Sequence, residues 1–257
     1  MKKYNKDELL KYLEEEEAKT FSGWDFSYLD GRWSDEDLPW DYKKIVLDYL
    51  KDDYKLLDIG TGGGEFLLTL KHPYNNTCVT EGYKPNYELC IEKLLPLGIT
   101  VYNYLGDELL KDIPDNSFDI VINRHESYIE KELFRILKPN GLFITQQVGA
   151  YNNKELATFF DENHQDSFPK MTFDASLKRL KDNGFNIIFS DEYYPILKFY
   201  DLGAIAYFAK IIEWEFLNFN VRDNIDKFMI LQDELEKNGY ISSKEHRFII
   251  VAKKKEE

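Results

Sequence analysis

Cysteine is scarce: the 257 residues hold Cys78 and Cys90 and no others. Two thiols far apart make no disulfide framework, and neither has a Cys or His at metal-ligand spacing, so reduced thiols in a cytoplasmic protein are the plain reading. The four histidines, at 72, 125, 164 and 246, form no HExxH-type cluster, and no metal is expected. Long apolar runs are also missing. The longest, Ala204 to Ala209, is far too short to span a bilayer. The N-terminus runs into Asp7 and Glu8 rather than an apolar stretch, which excludes a signal peptide of the usual form. Positive charge is in deficit, with Lys+Arg at 33 against Asp+Glu at 47 and a net charge of −14. So acidic a surface repels a phosphate backbone and argues against a nucleic-acid partner, although a local basic patch remains compatible with it.

Aromatic residues are plentiful, with 18 Tyr and 18 Phe, and the 43% hydrophobic and 31% charged residues are an ordinary globular balance. The length suits one large domain, or one domain with insertions, around a substantial core.

The rest of the chain is organised around Leu56-Leu57-Asp58-Ile59-Gly60-Thr61-Gly62-Gly63-Gly64-Glu65-Phe66. This reads as a buried strand, a turn made almost wholly of glycine, and the start of a helix, the opening of a nucleotide-binding βαβ unit. Gly60, Gly62 and Gly64 give GxGxG spacing, with Glu65 where a dinucleotide fingerprint wants Gly or Ala. A carboxylate there repels a pyrophosphate at the helix N-terminus, as does Asp58 before the turn. A cationic or zwitterionic nucleoside such as S-adenosylmethionine (SAM) meets no such conflict. The plainer reading is that Glu65 complements the helix dipole and Asp58 caps the turn.

Thr77 to Glu81 reads as the second strand. Glu81 falls 17 residues after Gly64, close to where a doubly wound fold places the carboxylate for the ribose hydroxyls. Gly82-Tyr83-Lys84-Pro85 turns into another helix, with Tyr83 a candidate to pack on an adenine. A third strand over 98–103 leads to Gly106-Asp107-Glu108 and Pro114-Asp115-Asn116-Ser117-Phe118-Asp119. Residues 118–123 make a near-continuous apolar strand, as expected for one buried on both faces. It ends in Asn123-Arg124-His125-Glu126-Ser127, and chemistry sits at the C-terminal ends of parallel strands. A helix with Leu133 and Ile136 on one face stops at Leu137-Lys138-Pro139-Asn140-Gly141. A fifth strand follows over 142–147, ending in Gln146 and Gln147.

Asp58-Ile59-Gly60-Thr61-Gly62-Gly63-Gly64, with the Gly106-Asp107 and Pro114 to Asp119 stretches, resembles the class I SAM-dependent methyltransferases, in the subgroup of the ubiquinone/menaquinone-biosynthesis type. The resemblance covers roughly residues 40–147 and departs from the pattern at Lys111-Asp112, where Leu-Pro is usual. It implies an α/β, doubly wound, seven-stranded Rossmann-like sheet whose seventh strand is antiparallel, here 246–252 beside a sixth at 185–190. It implies SAM as cofactor, held by Asp58, Gly60, Thr61, Gly62, Gly64, Glu81, Gly82, Tyr83, Asp107, Glu108 and Asn123. Glu81 takes the ribose and Asp107 the adenine amino group. Residues 40–257 then form the catalytic domain, with a mainly helical stretch over about 196–240. Residues 1–39 supply a helix and an aromatic segment, Phe21 to Trp33, that either packs on the core or acts as a lid.

For the transfer step His125 is the candidate base and Arg124 a candidate holder of a substrate carboxylate or phosphate. Tyr28, Trp33 and Tyr200 are candidate pocket walls. A small-molecule acceptor is favoured by the acidic surface and the aromatic density. An RNA or protein methyltransferase predicts a basic patch or open groove instead. A non-catalytic SAM or dinucleotide binder remains a third class, separated by whether SAM or NAD binds.

Overall fold

The computed structural model describes residues 3–21 and 25–256. The chain divides into two compact units. One joins Met1–Leu38, Ala150–Pro169 and Tyr194–His246; the other joins Pro39–Gly149, Lys170–Tyr193 and Arg247–Glu257.

The second unit is built on a seven-stranded sheet. In chain order its strands are β1 (Leu56–Ile59), β2 (Thr77–Thr80), β3 (Thr100–Tyr102), β4 (Phe118–Arg124), β5 (Leu137–Val148), β6 (Phe185–Tyr193) and β7 (Arg247–Lys254). Their order across the sheet is β3-β2-β1-β4-β5-β7-β6. The first five are parallel, and β7 runs antiparallel between β5 and β6. This is the architecture expected from the sequence. β1 is buried at every position, and Ile120, Val121 and Ile122 of β4 lie wholly inside, as apolar strands covered on both faces must. Register then fixes the functional edge. Ile59 lies level with Thr80 and with Asn123, Asn123 with Thr145, and Arg124 with Gln146. The strand order reverses between β1 and β4, the switch point at which open α/β sheets bind ligands.

One boundary differs from the sequence reading. The stretch read as a helix stop, Leu137 to Gly141, is already β5: the helix before it ends at Ile136, and Leu137 pairs with Phe118. Asn140, at φ +64°, puts a kink in the strand where Pro139 cannot donate to a ladder.

The first unit has its own three-stranded antiparallel sheet, Trp33–Asp35, Ile196–Phe199 and Ile241–Lys244 in that order. Around it lie the helices Lys6–Glu17, Lys154–Phe160, Leu202–Ile211 and Ile225–Asn238. The Leu202–Ile211 helix is buried from Leu202 through Ala209, hence its almost uninterrupted apolar sequence. The expected helical stretch, about 196–240, therefore begins in a strand and ends in the Ile225–Asn238 helix, with the third strand just beyond it. Residues 196–199 alternate, Leu197 and Phe199 inward and Ile196 outward, which is a period of two and not 3.6. Phe26 and Trp33 stack on each other and meet Phe208, while Trp33 also meets Phe199. The aromatic segment is thus largely core of this unit. Tyr28 bonds Glu16, and Tyr200 bonds Ser34. Trp24 of the same segment lies outside the described residues. Among the described residues no helix is long and apolar enough to cross a membrane.

Candidate cofactor and transfer site

The glycine turn leaves β1 through residues at positive φ: Gly60 (+69°), Gly62 (+64°) and Gly64 (+80°). Gly60 is also sterically fixed, because a Cβ there would lie 2.5 Å from Glu126 Cβ. At Gly62 a Cβ would meet nothing within 4 Å, so the backbone there borders open space. The turn is tied down from β2. Thr80 C=O accepts from Gly60 and Thr61, and the Glu81 carboxylate accepts from Gly62 N–H at 2.8 Å and from Tyr83 N–H at 2.9 Å. Gly64 caps the Glu65–Thr69 helix.

Two buried acids meet at this turn, Asp58 and Glu81, each about 5% exposed. Burial pushes Asp58 up to about 7; the neighbouring Thr61 hydroxyl and Arg124 guanidinium oppose the rise, and the Glu81 charge adds to it. Glu81 is also raised, chiefly by burial, against the pull of its bonds from Tyr83 and Gly62. Thr61 Oγ1 is buried beside Asp58. A buried hydroxyl beside two desolvated carboxylates is chemistry for a polar, cationic ligand. Glu65 contributes less than the sequence suggested, being largely exposed and 3.5 Å from Lys93. Of the acids at the turn, Asp58 is then the one that disfavours a pyrophosphate, since dinucleotide folds also place an acid at the position of Glu81.

On one side of the turn lie residues 82–83 and 105–108. Gly82 packs so closely on Leu105 that a Cβ would approach its backbone N to 2.6 Å, and a Cβ at Gly106 would overlap Ser127 C=O. Tyr83 is 59% exposed, so its ring is open to a flat ligand. Asp107 and Glu108 are exposed, and Glu108 accepts from Leu105 N–H at 2.7 Å.

The other side is the end of β4 and β5. Asn123 is wholly buried, and its polar atoms are engaged inside the sheet edge: Oδ1 accepts from Thr145 and Gln147, and Nδ2 donates to Ile59 C=O. It braces the β1–β4–β5 edge. Gln147 extends the brace to Glu126 C=O. Arg124 is exposed, with its guanidinium 4.6 Å from the Phe66 ring centre. His125 follows in the left-handed region, φ +64°. It is exposed to solvent, and the protein packed about its ring, with the Arg247 and Arg124 charges, pushes its pKa down.

Two residues of this edge escape a motif search. Tyr42 donates to Asn123 C=O at 3.0 Å, and Trp40 Nε1–H donates to Gln146 Oε1 at 2.8 Å. Both come from the segment before β1, where the only sequence signal is an aromatic pair at the start of an amphipathic helix. The structure thus gathers Asp58, Gly60 to Gly64, Glu81, Gly82, Tyr83 and the 105–108 loop around one turn. Arg124 and His125 lie at the adjoining strand end, and Asn123 is withdrawn into the sheet.

The sequence pattern of the family described as methionine biosynthesis protein MetW matches residues 40–148. Sterol 24-C-methyltransferase of Yarrowia lipolytica is 30% identical over 126 residues, 44% of this chain and 32% of that protein. Phosphoethanolamine N-methyltransferase 1 of Arabidopsis thaliana is 25% identical over 162 residues, 58% of this chain and 33% of that protein. The chain spans about a third of the length of these curated relatives. Among solved structures, a functionally unknown protein from Deinococcus radiodurans superposes with a TM-score of 0.57 at 12% identity, covering 88% of this chain and 95% of that one. The YcgJ protein from Bacillus subtilis superposes with 0.54 at 16%, covering 84% and 99%. These likenesses, with the strand order above, establish that the chain carries an α/β Rossmann-like fold with a seven-stranded, mostly parallel sheet.

Proposed function

We propose that this protein is a SAM-dependent methyltransferase acting on a small-molecule acceptor. The observation that carries the reading is the pairing of buried Asp58 and Glu81 at a glycine turn whose Thr61 hydroxyl is also buried. When bound there, SAM supplies an activated methyl group, so the protein's work is binding and orientation. Asp58 and Thr61 suit the amino-acid end of such a ligand, Glu81 its ribose, and Tyr83 with the 105–108 loop its adenine. Arg124 suits an anionic group on the acceptor. Both curated relatives are named for methylating small molecules, a sterol and phosphoethanolamine, and the net charge of −14 points the same way. The likeness to the ubiquinone/menaquinone-type enzymes and a cytoplasmic location, in keeping with free Cys78 and Cys90, belong to the same proposal.

Calorimetry with SAM and with NAD, on the unmodified chain and Glu81→Ala, tests it. SAM binding that weakens at least tenfold in Glu81→Ala is the expected result and warrants an acceptor screen with labelled SAM. NAD binding without SAM binding would move the chain to the dinucleotide binders.

A further inference from the structure

Three side chains at the end of the sheet form a chain of hydrogen bonds whose direction chemistry dictates. An indole N–H only donates, so the Trp40 contact at 2.8 Å fixes the Gln146 amide with its oxygen toward the indole. The Gln146 NH2 then faces His125, 3.4 Å from its Nε2. An amide nitrogen only donates, so Nε2 meets it with its lone pair, and the proton of the neutral ring sits on Nδ1. The backbone adds a second hold, as His125 N–H donates to Gln146 C=O at 2.9 Å. His125 keeps a left-handed backbone conformation that a β-carbon disfavours, which is tolerated where surrounding contacts over-determine it. Trp40 and Gln146 are both buried, at 9% and 8% exposure, so the bond between them is shielded from competing water, while His125 meets solvent.

We propose that Trp40 and Gln146 are positioning residues that lock His125 as the neutral Nδ1–H tautomer, withdrawing it from general-base duty and leaving Nδ1–H as a hydrogen-bond donor. The lone pair a base needs is already engaged by Gln146. Loss of hydration and the charges of Arg124 and Arg247 act in the same direction, against an imidazolium. The role of His125 inferred from sequence therefore changes from base to donor. Resting on the methyltransferase reading, this means that an acceptor that has to lose a proton gives it to a group other than His125.

The test is long-range 1H–15N correlation spectroscopy on the full chain labelled at histidine, with the His125 signals assigned by their loss in His125→Asn. The expected result is a protonated, pyrrole-type Nδ1 and a pyridine-type Nε2 at pH 8, with a titration midpoint below that of free histidine. A pyrrole-type Nε2, or a titration midpoint near that of free histidine, overturns the proposal. In Gln146→Glu the new carboxylate accepts from both the indole and the ring, so the proton is expected on Nε2 and the midpoint rises. A tautomer indifferent to Gln146→Glu overturns the positioning role. Trp40→Phe keeps the bulk but frees the amide to rotate, and mixed tautomers are expected. The spectra need no cofactor, so a failure of SAM to bind would overturn the proposed function while leaving this result to be read independently.

Discussion

The Glu81 carboxylate spans two backbone amides, Gly62 N–H at 2.8 Å and Tyr83 N–H at 2.9 Å, so one side chain joins the glycine turn to the end of β2. Replacing it by Gln conserves shape but turns an NH2 group toward one of those amides. An unsatisfied buried donor costs about 1–3 kcal/mol. Glu81→Gln is therefore expected to weaken SAM binding by roughly ten- to a hundredfold and to lower the denaturation midpoint. Calorimetry and urea unfolding read the two effects separately; an unchanged affinity would remove Glu81 from the site.

Gly60 and Gly62 share a left-handed backbone but not a neighbourhood. Alanine at either position carries a strain of about 1–2 kcal/mol. At Gly60 the new methyl would also sit 2.5 Å from Glu126 Cβ, which no rotamer change relieves, whereas at Gly62 the space is open. Gly60→Ala should thus unfold at clearly lower urea than Gly62→Ala. Gly62→Ala should act chiefly on ligand affinity, because its methyl projects where the ligand is expected. Equal loss of stability in the two variants would contradict this.

This contrast marks where sequence stopped being informative. The strand, glycine turn and helix of residues 56–69 were legible because burial on both faces and positive φ each leave a local signature. β7 was legible for the same reason, as an apolar run from Phe248 to Ala252. The Trp40–Gln146 bond was not, because it joins positions 106 residues apart and neither has a distinctive neighbour. Asn123 was placed at the correct strand end, but its direction depends on Thr145 and Gln147 from the next strand. The small sheet was missed for a related reason. Its three strands are only three or four residues long, and 196–199 abut a strongly apolar helix that dominates any window drawn over them.

Asp58 should report ligand binding through protons. Its folded pKa, about 7, lies above the ordinary 3.8, so between those values the folded chain holds more protons than the unfolded one. Stability therefore falls as pH rises through that window and levels off above it, and Glu81, also raised, acts with the same sign. A cation beside Asp58 lowers its pKa, so SAM binding at pH 6 to 7 is expected to release protons and to tighten roughly tenfold between pH 6 and pH 8. Binding heats at pH 6.5 in two buffers of different ionisation enthalpy should then differ, and the difference should shrink in Asp58→Asn. Identical heats in the unmodified chain would mean that no cation is held there.

Arg32 holds the N-terminal helix to the rest of its own unit. Its Nε and Nη2 form a fork on Asp201 at 2.9 and 2.6 Å, and Nη1 reaches Glu16 at 2.9 Å. Tyr12 and Tyr28 donate to the same two carboxylates. Gly203 leaves the room this needs, since a Cβ there would overlap the Tyr12 hydroxyl and the Glu16 and Arg32 side chains. Removing the guanidinium in Arg32→Met leaves two partly buried carboxylates facing each other. With Arg32 21% exposed, a cost of about 1–3 kcal/mol is expected, below the 3–5 kcal/mol of a fully buried pair. Arg32→Lys retains the charge but not the fork, so it should recover only part of the loss. If the acids are the cause, Glu16→Gln added to Arg32→Met restores stability, and the unfolding of the double variant in urea is the deciding measurement. A double variant less stable than Arg32→Met alone would instead assign the Arg32 effect to lost packing against Tyr28, whose ring lies 5.0 Å from the guanidinium carbon.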